Sequence, residues 1–377
     1  MAVLVDPFFS FLSVGALGIF FVGTYAVVIL LFTMAWQRKK HRLSVFKSTQ
    51  TSFISVIVPY RNEAKTLPAL LAALGQQNLS SHLFEVIAVN DHSEDGGENW
   101  LSGQNLFKGS LRRIDAQGQG KKSALKEGIA CAKGPLIVTL DADCVPHRGW
   151  LKTLMDGFGQ WEADMLIGPV KMRSSGSFLS RFESVDYWAL QMSGAAAAML
   201  GFPVFCSGAN LAFKKSVWEE AVPHSSGTDV ASGDDVFLLH AFKKLHKKIC
   251  FLRHPSALVE TSTSGSVGAF LRQRMRWGGK STSYKDAAAI ALAVIVFMAN
   301  LWLLLLLAFW MLTGMPFRMF GLAFLLKVAA DYFLLRQGRR LFDVRYSFLK
   351  HLLFSVMYPF GLVATAIGGL ILPEKWK

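Results

Sequence analysis

Three stretches of this chain carry no charged side chain: residues 7–37, 287–317 and 352–373. Each is longer than the ~20 apolar residues a helix needs to cross a bilayer core. The chain must therefore give its two ends to a membrane and fold what lies between as a separate unit. The first stretch is too long for a cleaved signal sequence and lacks a basic start, so it reads as a retained anchor. A shorter apolar run, residues 320–335, is interrupted by Lys327 and Asp331. Four apart, these share a helix face and neutralise each other, which lets this run count as a further span.

Basic residues gather beside these runs. Arg38, Lys39, Lys40 and Arg42 follow the first, residues 272–285 are basic before the second, and Arg336, Arg339, Arg340 and Arg345 follow the third. With one N-terminal and three C-terminal spans, all three clusters fall on one side, which the positive-inside rule assigns to the cytoplasm. The expected layout is an anchor in residues 1–37, a cytoplasmic domain in 52–277 and a membrane domain of about three helices in 287–373. This makes the chain an integral, multi-pass membrane protein. The last residues, PEKWK, carry no endomembrane retrieval signal, so a bacterial inner membrane is expected.

The net charge of +14 does not point to nucleic acid. Much of it sits beside the membrane, where anionic headgroups attract Lys and Arg, and no basic patch with stacking aromatics is present. Cys131, Cys144, Cys206 and Cys250 form no CxxC pair, and His224, His240, His246 and His254 lack zinc spacing.

The middle of the chain alternates strand and helix. Strands are predicted over residues 52–60, 84–90, 111–115 and 136–140, with helices near 67–77 and 122–132, the signature of a parallel sheet with crossover helices. The fourth strand ends abruptly in Asp141-Ala142-Asp143. Two carboxylates held together at a strand end suit a divalent cation that reaches phosphate oxygens. Ligands of such sheets bind beyond the carboxyl ends of the strands, where Asp91 and Asp143 both fall. Gly118-Gln119-Gly120-Lys121-Lys122-Ser123 is not a P-loop: glycine is required where Asp115 stands, and Ser or Thr directly after Lys121. No GxGxxG opens the first crossover.

SVIVPYRNE, VNDHSEDG, GKKSALKEG and LDADC, in this order, resemble the nucleotide-sugar half of family 2 glycosyltransferases of GT-A fold. Further along, SGAN at 207–210, GDD at 233–235 and QRMRW at 273–277 resemble the D, D, D, Q(Q/R)xRW set of the membrane-bound branch, which includes ceramide glucosyltransferase and polysaccharide synthases. The match covers residues 52–277. It implies an α/β, Rossmann-like GT-A domain, a UDP-sugar donor and Mg²⁺ or Mn²⁺. Pro59, Arg61, Glu63, Asp91, Lys121, Asp141, Asp143, Gln273, Arg276 and Trp277 would hold the nucleotide sugar, with Asp143 on the metal. Asn90 departs from the family, which often has aspartate there.

Asp235 is the expected general base: an inverting displacement needs a carboxylate opposite the leaving group, within reach of the acceptor hydroxyl. Its position at a helix start offers a plainer role, the N-cap. Asp234, Ser207, Gly208, Asn210 and Trp277 are expected near the acceptor. Arg276 suits diphosphate, and Trp277 gives an aromatic floor, although both residue types also anchor helices at membrane surfaces. In residues 177–199 an apolar stripe, Phe178, Phe182, Val185, Ala189 and Met192, leaves Arg181, Glu183 and Asp186 off it. That helix is either core or a guide for an amphiphilic acceptor, with Asp186, Tyr187 and Trp188 toward it.

The acceptor is a lipid that receives one sugar, or else a glycan growing in a processive synthase. Few helices are available to line a channel, which places the lipid first. A catalytically silent nucleotide-sugar scaffold is the alternative of another class.

Overall fold

The computed structural model describes residues 7–38, 52–97, 110–225, 233–280, 283–313 and 316–371. Lys39, Lys40 and Arg42 of the first basic cluster and the C-terminal PEKWK lie outside the described residues.

Helix α1 (Pro7–Gln37) leads into β1 (Ile54–Tyr60), α2 (Leu67–Gly75), β2 (Phe84–Asn90), β3 (Ser110–Asp115), α3 (Lys121–Ala130) and β4 (Leu136–Thr139). Every residue of β1, β2 and β4 is buried, as expected when helices cover both faces of a parallel sheet. The register runs in step: Ile54 pairs with Phe84 on one side and Leu136 on the other. A buried carboxylate pins these strands together, since Glu85 accepts from the Ser55 hydroxyl and the Lys133 amide, each at 2.7 Å.

After β4 the chain changes character. It continues as β5 (Val145–Pro146), α4 (Trp150–Trp161), β6 (Met165–Ile167), β7 (Val170–Arg173), α5 (Phe178–Met199), β8 (Leu211–Lys214), α6 (Lys215–Ala221), α7 (Asp234–Lys244), β9 (Ile249–Phe251) and β10 (Val259–Ser262). Among the described residues the main sheet has seven strands in the order β3-β2-β1-β4-β8-β6-β9, with β8 antiparallel to both neighbours. A small sheet, β5-β10-β7, stands beside it. The sequence alternation foresees the parallel half. It does not foresee β8 or the small sheet, because strands of two to four residues carry too little periodicity.

The remaining helices are α8 (Val267–Lys280), α9 (Ala287–Thr313), α10 (Phe317–Gly338) and α11 (Phe348–Ile371). Residues 14–37 of α1, together with α9 and α11, are long and apolar enough to cross a membrane. Helix α10 packs along α1, and its charges meet as expected: Lys327 Nζ donates to Asp331 Oδ2 at 2.6 Å. The anchor helix is also docked on the domain. Trp36 Nε1 donates to the Met192 carbonyl at 3.1 Å, and Arg253 donates to the Trp36 carbonyl.

Helix α8 crosses α11 at a glycine contact. A Cβ on Gly279 would lie 2.9 Å from the Gly369 carbonyl oxygen, so only glycine allows these backbones to approach so closely. Helix α5 combines the two readings of residues 177–199: much of it is core, while Phe182, Val185, Asp186, Tyr187 and Ala189 line a cavity. Phe182, Trp188 and Met192 are buried, and Glu183, expected off the apolar stripe, is fully enclosed and accepts from the Ser264 amide at 3.0 Å.

Candidate active site

The carboxyl ends of β1, β2 and β4 place the first group of side chains. Asp91, just past β2, is 3% exposed and accepts from the Gly120 amide at 2.8 Å, immediately before α3. Gly120 has φ +89, a left-handed conformation that glycine adopts without strain. Asn90 donates to Asp115 at 2.9 Å and accepts from the Ser93 amide at 3.0 Å, so the amide ties the rims of β2 and β3 together. Pro59 is buried within β1 and Arg61 is exposed at its end. Glu63 accepts from the Thr66 hydroxyl at 2.6 Å, bracing the turn into α2.

Asp141 and Asp143 follow β4 and differ in setting. Asp141 accepts from Lys121 Nζ at 2.5 Å. Lys121 was expected to face an anion at its helix start; here its ammonium rests on Asp141. Burial works against its charge, yet Asp141, Asp234 and Asp235 together hold its pKa above the ordinary lysine range. Asp143 accepts from the Thr261 hydroxyl at 2.8 Å, a contact made by β10 of the small sheet. Burial, reinforced by Asp141, pushes the Asp143 carboxyl above the usual carboxylate range.

The second group arrives from the antiparallel half. The N-cap of α7 is Gly233, in a left-handed conformation at φ +96, so Asp234 and Asp235 occupy the first turn and neither is the cap. Asp235 Oδ2 accepts from the Gly208 amide at 2.8 Å, and the Gly208 carbonyl accepts from the buried Thr139 hydroxyl at 2.7 Å. Burial raises the pKa of Asp234, Lys121 opposes that shift and Asp235 adds to it. Ser207 accepts from the Tyr187 hydroxyl at 3.2 Å.

Asn210 is a correction. Its side chain is fully enclosed, accepts from Trp150 Nε1 and donates to the carbonyls of Pro169 and Ala257, all at 2.9 Å. It braces the loop that carries Gly208 and has nothing left for an acceptor.

The QRMRW segment lies on α8. Arg274 turns to Asp186 of α5 at 2.8 Å and covers the Trp277 ring at 4.4 Å, while Tyr187 lies 5.7 Å from that ring on another side. Gln273 Oε1 is buried without a hydrogen-bond partner among the described residues. Asp186 and Tyr187 face the site as expected, whereas Trp188 turns away to pack against Phe342 and Tyr346.

One cavity of about 890 Å³ joins the end of β4, the start of α3, the Gly208 loop, α7 and α8, while Pro59, Arg61, Glu63 and Asp91 do not line it. Lys121, Asp143, Gly208, Asp235, Arg276 and Trp277 line it, and it continues between α1, α5, α9, α10 and α11. Sequence reading missed Thr139, Thr261, Gln191 and the pairing of Asp186 with Arg274. Each acts through a partner more than sixty residues away or across two elements, and no local pattern marks such a contact.

This geometry, a mixed sheet with acidic strand ends facing a cavity beside apolar helices, is that of the GT-A class. Residues 55–221 match the family model "Glycosyl transferase family 2", and that segment is a family 2 glycosyltransferase domain. The chain is 29% identical over 135 residues to glycosyltransferase AglE of Haloferax volcanii, covering 35% of this chain and 44% of AglE. It is 33% identical over 99 residues to an undecaprenyl-phosphate 4-deoxy-4-formamido-L-arabinose transferase of Aeromonas hydrophila, covering 26% of this chain and 30% of the relative. The chain thus spans less than half the length of these curated relatives. The mannosyltransferase PcManGT from Pyrobaculum calidifontis, solved with GDP-Man and Mn²⁺, shares the fold along nearly the whole length, with a TM-score of 0.58, 20% identity, and coverage of 95% of this chain and 99% of that one.

Proposed function

We propose that this protein is an inverting glycosyltransferase that moves a sugar from a UDP-sugar to a hydroxyl of a membrane lipid, with Mg²⁺ or Mn²⁺ at Asp143. The observation that carries this reading is that Lys121, Asp143, Asp235 and Trp277 meet around one cavity that runs on between apolar helices. Residues 52–277 form the catalytic domain, facing the cytoplasm of a bacterial cell, and the anchor and residues 287–373 hold it at the inner membrane.

The residues fit such an ion. Asp143 supplies carboxylate oxygens, the donor type such ions take, at a cavity wall where Thr261 is its hydrogen-bonded neighbour and Asp141 lies two residues away. Among the described residues no three His, Cys, Asp or Glu side chains gather as a metal site. Asp143 would hold the ion, and the donor's diphosphate would supply oxygen ligands of the kind Mg²⁺ takes. When bound, the ion supplies charge stabilisation to the departing diphosphate. PcManGT, with its nucleotide sugar and Mn²⁺, supports this class of donor and ion; uridine is the reading that the motif resemblance favours.

The chain's own groups do the rest. Asp91 and the Asn90–Asp115 rim border the nucleoside, Arg276 meets the diphosphate, and Trp277 forms the acceptor floor. Asp235 takes the proton of the acceptor hydroxyl as that oxygen bonds the anomeric carbon. The bond to the diphosphate breaks on the opposite face, and the configuration inverts. A membrane-lipid acceptor draws support from the Aeromonas relative, whose name specifies undecaprenyl phosphate; that lipid offers a phosphate oxygen where this reading places a hydroxyl.

The test is UDP release by detergent-purified protein over a panel of UDP-sugars, with Mn²⁺ or EDTA and extracted membrane lipids. Release with one donor that EDTA abolishes is the expected result. Failure to bind UDP with or without metal would end this reading.

A further inference from the structure

Where the cavity runs into the helix bundle, it meets polar side chains that the chemistry above does not use. Tyr25 of α1, Lys327 and Asp331 of α10, and Tyr358 of α11 all line it. Lys327 is 2% exposed and sits ten residues into α10, about 15 Å from its start at the helical rise of 1.5 Å per residue. Both oxygens of Asp331 have partners: Oδ1 accepts from the Tyr25 hydroxyl at 2.5 Å and Oδ2 from Lys327 at 2.6 Å.

Lys327 is not fully committed. An ammonium has three donors, and among the described residues only Asp331 accepts one of them. The Tyr25 and Tyr358 rings lie 5.2 and 4.9 Å from Nζ and frame the rest of it. Adhesion between helices does not explain the group. An ion pair sunk among apolar helices costs desolvation, and well-packed apolar replacements are often neutral or stabilising. Ionisable residues in such positions mark ligand paths. What Lys327 can still use is an oxygen acceptor, and because Asp331 already cancels its charge, a neutral carbonyl suits it better than a phosphate.

We propose that Lys327, framed by Tyr25 and Tyr358, binds an acyl carbonyl of the lipid acceptor. The acceptor class is then an acyl lipid with a free hydroxyl, its hydroxyl at Asp235 and its carbonyl deeper in the bundle. A polyprenyl phosphate is disfavoured, since its chain beyond the phosphate carries no oxygen. This inference rests on reading the cavity at Asp235 as the acceptor site.

The experiment leaves out nucleotide sugar, so a wrong donor assignment cannot disguise its result. Native mass spectrometry of the full chain in detergent would follow occupancy by a diacylglycerol, its dialkyl ether analogue and undecaprenyl phosphate. The diacyl lipid should bind about tenfold more tightly than the ether, the scale of one hydrogen bond to a charged donor. In Lys327→Met with Asp331→Leu, a pair removed together so that no lone charge stays buried, that difference should vanish while ether binding persists. Equal binding of ester and ether by the wild type, tighter binding of undecaprenyl phosphate, or a preference that survives in the double variant would each overturn the proposal. Should the double variant not fold, the wild-type comparison decides alone.

Discussion

The two halves of the site are built by different means. Around β1, β2 and β4, functional side chains hang on the ends of parallel strands, and neighbours in space are neighbours in a repeating pattern. Around α7, α8 and the loop at Gly208, they are gathered from antiparallel strands, helix starts and helices that belong to the membrane bundle. The first half is stabilised before any ligand arrives, with Asp91, Asn90 and Glu85 all hydrogen-bonded within the sheet region. Where the halves meet, charge is held at some cost: the Asp143 carboxyl past β4 and the Asp234 carboxyl at the start of α7 both lie above their usual range, and burial leads both shifts. A hydrogen-bonded strand-end half and a half gathered from loops and helices meet along the line between Lys121 and Asp235.

The largest effect that would sharpen this contrast is on Asp235. Asp235→Asn should lower kcat by about 10²- to 10⁴-fold, the range for losing a general base, and leave donor affinity nearly unchanged. A rise in donor KM with kcat preserved would move Asp235 to the nucleotide half. Next is Asp143→Asn, for which we expect a loss of about 10²- to 10³-fold in turnover together with a higher melting temperature in metal-free buffer.

The sign of that stability change follows from linkage. A carboxyl whose folded pKa lies above its unfolded value binds its proton more tightly when folded. It therefore costs stability as pH rises from the unfolded value through the folded one. Melting curves of metal-free protein across that window should show the wild type losing stability that Asp143→Asn retains. Identical slopes would dissolve the claim that charge is held at a cost where the two halves meet.

A smaller effect concerns the bridge between the halves and the bundle. Arg274→Leu leaves Asp186 buried without its partner and should cost about 3–5 kcal/mol, whereas Arg274→Leu with Asp186→Leu should recover most of it, as chemical denaturation would report. Smallest is Asn90→Asp, which replaces a hydrogen bond to Asp115 by repulsion. We expect a loss of about 1–2 kcal/mol and a modest rise in donor KM, measured by denaturation and by initial rates.

The same contrast governs what can be read from the residues. Strand bounds at Ile54–Tyr60 and Phe84–Asn90, the helix at Asp234 and the Lys327–Asp331 pair are legible because each rests on periodicity or spacing within a few residues. Asn210 misleads, since a polar residue in a motif looks the same whether its amide faces a ligand or spans Trp150, Pro169 and Ala257. Thr261 is invisible because its role exists only once β10 reaches Asp143. Glu183 defeats the amphipathic reading of α5 by being satisfied deep inside rather than solvated.

The glycine contact between α8 and α11 has a mechanical consequence. With no side chains between the backbones at Gly279 and Gly369, the two helices cannot slide past each other as greased rods do. A membrane span tilts to match the thickness of the hydrocarbon around it, and a tilt of α11 carries Trp277 and Arg276 with it. Bilayer thickness would then reach the residues proposed for the catalytic floor, and the same polypeptide should run at different speeds in short-chain and long-chain lipid nanodiscs.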